Sequence, residues 1–130
     1  MARDVEREWE ECPREARDSR WATMYVTLNP EGDIVMNRAT HKATGSPDSY
    51  VLLYDRQAGV IGMKAASSSV HKNAYPARPR GHHGGRRVRG YRLCREFGIR
   101  VGRTVRFPRC RLDKDGVLLL ELSEAKAVRK

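Results

Sequence analysis

Between residues 71 and 111 this chain carries one acidic side chain, Glu96, in the longest acid-poor stretch of the sequence. Other shortages narrow the function classes. Three cysteines, Cys12, Cys94 and Cys110, are odd in number and widely spaced, which excludes a disulfide framework. No CxxC or HxxxH spacing exists, and the adjacent His82 and His83 make a poor pair for one tetrahedral ion. No metal or other cofactor is expected. The apolar runs, Val117 to Leu120 among them, fall far short of a bilayer crossing. The charged N-terminus has no apolar h-region, so no secretory signal is expected and the cytoplasm is the default location. GxSxG, P-loop and HExxH patterns are missing, and Asp33, Asp48, Asp55 and Asp115 fall in turn-forming sequence. The expectation is a binding protein rather than an enzyme.

What is abundant is arginine, and it is concentrated. Residues 71–111 hold thirteen lysines and arginines, so this segment alone accounts for the formal net charge of +10 over the whole chain. The first twenty residues are slightly acidic, and residues 21–70 and 112–130 are balanced. Charge carried merely for solubility would be spread, so this asymmetry points to a polyanionic partner. No membrane partner is expected, because the segment lacks an apolar face to insert. Arginine forks onto phosphate, pairs bidentately with guanine and stacks on bases better than lysine does. The candidate nucleic-acid-binding residues are Arg78, Arg80, Arg86, Arg87, Arg89, Arg92, Arg95, Arg103, Arg106, Arg109 and Arg111. Arg86, Arg87, Arg89, Arg92 and Arg95 lead that set, with Tyr91 a candidate for base stacking and Phe107 a core residue.

Local patterning predicts a mainly β fold with short helices. Residues 1–22 form a charged arm, with Trp9 and Trp21 its expected anchors on the body. From Thr23, alternation through Asn29 predicts a strand, Pro30-Glu31-Gly32-Asp33 a turn, and Ile34 to Met36 the returning strand. Asn37 is the expected N-cap of a short helix closed by Gly45. Strands follow at Tyr50 to Tyr54 and Val60 to Met63. Residues 66–74 read as a linker. The second half, 75–122, repeats the order: a proline-interrupted strand to Arg80, a glycine-rich turn, a strand at Arg86 to Arg89, and a helix from Tyr91 to Phe97 capped by Gly98. A long strand from Arg103 to Leu112 and a hairpin into Val117 to Leu122 complete it. Residues 123–130 are expected to fray.

The halves register on their glycines. Gly32 to Gly45 and Gly85 to Gly98 are both thirteen-residue intervals, and in that frame Val35 falls on Val88 and Tyr54 on Phe107. The implied architecture is one duplicated domain, 23–122, in which a β-β-α-β-β half, 23–65, pairs with a basic second half into a small barrel.

The stretch VTLNPEGDIVMNRATHKATGSPDSYVLLYDRQAGVIGM resembles the swapped-hairpin DNA-binding family of the AbrB, SpoVT and MraZ proteins. It has the family's order of strand, glycine turn, return strand, short glycine-closed helix and hairpin. The resemblance implies two interlocked halves in a swapped-hairpin barrel and a basic surface built after the hairpin glycine and late in the helix. Those positions are Asp33, His41 and Lys42 in the first half and Arg86, Cys94 and Arg95 in the second. Where the family usually opens its helix with proline, this chain has Asn37 and Gly90. The first half thus keeps the pattern without the charge, and the second the charge with a weaker first hairpin. A one-sided basic face on duplex DNA follows, as in a transcriptional regulator or antitoxin-like module. The alternatives are RNA binding and a non-enzymatic adaptor docking an acidic protein. A homodimer is a further partner expectation.

Overall fold

The structure, a computed structural model, describes Trp9 and residues 23–128. It is mainly β. In chain order it runs β1 (Val26–Leu28), β2 (Asp33–Met36), α1 (Arg38–Ala43), β3 (Ser49–Asp55) and β4 (Val60–Ala66). It continues with β5 (Tyr75–Pro76), β6 (Arg78–Arg80), β7 (Gly85–Arg89) and α2 (Tyr91–Phe97). The chain ends with β8 (Val105–Arg106), β9 (Arg111–Leu112), β10 (Leu118–Glu121), a single 3-10 turn and β11 (Lys126–Ala127).

Side chains explain the joints. The Asn29 carboxamide accepts the N–H groups of Glu31 at 3.0 Å and Asp33 at 2.9 Å, which closes the β1–β2 turn beside Gly32 at φ +88°. Asn37 caps α1 by accepting the Thr40 N–H at 3.0 Å, and the same oxygen accepts the Tyr25 N–H at 3.1 Å. One side chain therefore starts the helix and fixes the chain entering β1. Gly98, at φ +67°, ends α2 in the left-handed conformation that glycine adopts without steric cost.

Two antiparallel sheets result, in the orders β11-β8-β1-β2-β7-β6 and β5-β3-β4-β10-β9. Each joins strands from before and after residue 70: β1 pairs with β8 and β2 with β7 in the first, and β4 pairs with β10 in the second. Val26, Leu28, Ile34, Met36 and Val88 face one way from the first sheet, and Tyr50, Ile61, Met63, Leu118 and Leu120 from the second. All ten are buried in one core. Neither half could bury these faces without the other. The buried Tyr50 hydroxyl shares a 2.6 Å hydrogen bond with the Thr44 hydroxyl, and burial pushes its pKa up.

Three expectations need correction. Neither sheet closes on itself, so the layers are open. The expected strand from Arg103 to Leu112 is broken: Phe107 plunges into the core, Pro108 has no N–H to offer a ladder, and β8 and β9 end in different sheets. The C-terminal segment does not fray at 126–127, where β11 pairs with β8, and the Val128 N–H donates to Thr104 O at 2.9 Å. Most of the N-terminal arm, Trp21 included, lies outside the described residues. Trp9 is 81% exposed. No helix among the described residues is long and apolar enough to cross a membrane.

Candidate nucleic-acid interface

Opposed residues on antiparallel strands put their side chains on the same face, so the register defines what each face carries. Across the six-stranded sheet one row reads Lys126, Arg106, Thr27, Val35, Arg87 and Arg78, one residue from each strand. Because Val26, Leu28, Ile34, Met36 and Val88 point into the core, this row lies on the opposite, outward face. Arg89 and Arg80 stand two residues along from Arg87 and Arg78, and therefore on the same face. Arg78, Arg80, Arg89, Arg106 and Lys126 are exposed, and Arg87 is half-buried.

The row has two cationic flanks and a neutral centre, Thr27 and Val35. Arg87 and Arg106 are three strand spacings apart, or about 14 Å. Asp33 stands opposite Arg89 as the acidic residue of this face. Tyr75, Pro76, Arg78, Arg87 and Arg89 line a groove of about 380 Å³ on the first flank. Arg103 joins the second flank, where it lines an open groove with Arg106 and Lys126.

The remaining candidates divide differently. Arg86 opposes the buried Met36, and its Nη1 donates to the carbonyls of Gly84 at 3.2 Å and Gly85 at 2.9 Å. Its guanidinium braces the β6–β7 turn from the core side instead of joining Arg87 outside. Arg92 and Arg95 are exposed on α2 with Tyr91, which is 59% exposed. Tyr91, Cys94, Arg95 and Arg100 line a groove of about 430 Å³ against the β1–β2 turn. Arg109 and Arg111 belong to the other sheet's surroundings and face acids. Arg111 meets Glu121 at 2.8 Å, and Arg109 lies 3.7 Å from Glu124. The hydrogen bond from Arg111 holds the Glu121 carboxyl below its usual pKa, whereas Glu124 is raised by its hydrogen bond to Glu121.

Of the positions implied by the resemblance, Lys42 and Arg95 are exposed. His41 is buried, and its Nε2 donates to Pro47 O at 2.8 Å, so it serves the helix–turn junction. Burial of Cys94 pushes its thiol pKa up. Among the described residues, no three His, Cys, Asp or Glu side chains come together to hold a metal ion.

Lys126 was absent from the sequence-based candidates, as were the central Thr27 and Val35. No local pattern marks them, since their place depends on long-range register. No family model, curated protein or solved structure matches this chain.

Proposed function

We propose that this protein binds duplex nucleic acid, DNA first among duplexes, through the outward face of the six-stranded sheet. The observation carrying this reading is the registered row, which gathers Arg78, Arg87, Arg106 and Lys126 on one face. Phosphate contacts from such a face would supply affinity and set orientation. Single-strand binders stack bases on aromatic platforms, but here the middle of the row is Thr27 and Val35. Tyr25, 40% exposed just before β1, is one aromatic beside several cations. That composition favours a duplex held by its backbones.

We read the domain, 23–122, as two repeats that exchange contacts. A Cβ on Gly32 would stand 2.8 Å from Tyr91 Cα at the start of α2, and one on Gly84 would stand 2.9 Å from Arg38 Cδ at the start of α1. Each half's hairpin turn thus packs on the other half's helix start. This reciprocity supports the duplicated, swapped-hairpin reading, with the charge concentrated in the second repeat.

Fluorescence anisotropy with labelled duplex DNA at low salt, competed with single-stranded DNA and duplex RNA, tests the proposal. The expected order is duplex DNA, then duplex RNA, then single strands. Absence of binding, or preference for single strands, would overturn it.

A further inference from the structure

The second sheet presents a different surface, and it needs no nucleic acid to be interpreted. Its inward residues are Leu52, Tyr54, Ile61, Met63, Leu118 and Leu120. Its outward rows therefore follow from register. The middle row is Leu53, Gly62 and Leu119, ending at Arg111 on β9. One row toward the top of β3 lie Asp55, Val60 and Glu121. One row the other way lie Val51 and Lys64, with Val117 next to Lys64 across the β4–β10 pair. Leu53 is 43% exposed, and it closes over the buried Gly62 together with Val117. The face is thus an aliphatic strip with Asp55 and Glu121 at one end, Lys64 at the other, and Arg111 at the β9 edge in an ion pair with Glu121.

We infer that this face is a homodimer interface, in which two copies pack sheet on sheet about a two-fold axis that runs across the strands at Gly62. The charges select this arrangement. A two-fold axis parallel to the strands would set Asp55 and Glu121 against the same acids of the partner. The axis across the strands instead places Lys64 over the partner's Val60, flanked by the partner's Asp55 and Glu121 one strand away on either side. Sheets stack about 10 Å apart, a gap that an extended lysine spans at the rim while the leucines fill it at the centre. Arg111 meets its own copy across this axis at the β9 edge, each guanidinium held by its own Glu121 at 2.8 Å, so the two Lys64–Asp55 pairings between the copies carry the charge complementarity of this isologous arrangement. The edge strands β5 and β9, two residues each, are too short to lead assembly through strand addition. In this dimer the two basic faces point outward on opposite sides, because each chain's sheets enclose one core between them.

Sedimentation velocity on the full chain, nuclease-treated and in high salt from low micromolar to millimolar concentration, tests the inference. The expected result is a monomer–dimer equilibrium. Leu53→Glu should abolish the dimer. Lys64→Glu, at an exposed position, should weaken it about 10-fold, since two copies each exchange attraction for repulsion. Adding Asp55→Lys to Lys64→Glu should restore most of the loss, which separates pairing from misfolding. A single-chain mass at every concentration overturns the inference. So does a dimer that Lys64→Glu and the double variant leave unchanged.

Discussion

Arg78 and Arg87 stand directly opposite each other on β6 and β7, with both guanidinium groups on the outward face of the sheet. Like charges in this position destabilise a sheet, and among the described residues no carboxylate forms an ion pair with either. The arrangement is unfavourable for the isolated fold and favourable for one that meets an anion. Arg78→Thr should therefore raise stability by about 0.5 kcal/mol while weakening polyanion binding. Urea unfolding with and without added polyphosphate reads both effects: the wild type should gain more from the anion than the variant does.

Gly32 is the most constrained glycine in the hairpin turns. It sits at φ +88°, and a Cβ there would meet the backbone of Tyr91 at 2.8 Å. Strain and overlap add, so Gly32→Ala should cost about 3 kcal/mol. Gly98→Ala, at φ +67° with open space around it, should cost about 1 kcal/mol from strain alone. Equilibrium unfolding of the two variants gives the comparison. Equal losses would remove the contact between the β1–β2 turn and α2 from the account of the fold.

Asp48 ties the turn before β3 to the segment after β4. Its carboxylate accepts the Ser68 N–H at 3.0 Å and the Ser68 hydroxyl at 3.2 Å, and the backbone bond above all holds its pKa below the usual aspartate value. A depressed carboxyl pKa contributes stability that is present above the unfolded-state pKa and is lost as pH falls through the folded value. Asp48→Asn should therefore be less stable than the wild type at neutral pH. The gap should shrink as pH falls from the ordinary aspartate range through the lowered one. Thermal unfolding across acid pH measures that convergence.

Much of the local structure was legible in sequence. Asn37, Gly32 and Gly98 announced a cap, a turn and a helix end, because each acts on neighbours a few residues away. The break at Phe107-Pro108 could be read only in part: β-propensity along Arg103 to Leu112 is high, but burial of Phe107 in the shared core decided the geometry. The candidate face was legible as charge but not as arrangement. Arg86 and Arg87 are adjacent and chemically identical, yet period-two alternation sends one toward Met36 and the other outward beside Arg78. Lys126 sits in a segment expected to fray and reaches the row only through pairing with Arg106. Charge composition marks a basic segment, whereas register decides which of its charges share a face.

The central claim is that Arg87 and Arg106 meet phosphates while Arg111, held by Glu121, does not. Duplex DNA affinity measured against salt concentration tests it most directly, using the wild type, Arg87→Gln, Arg106→Gln and Arg111→Gln. Each phosphate contact contributes about 0.9 to the slope of log affinity against log salt. The account predicts that Arg87→Gln and Arg106→Gln each lower the slope by about one contact and that Arg111→Gln leaves it at the wild-type value. A slope unchanged by the first two variants, or lowered equally by all three, would contradict it.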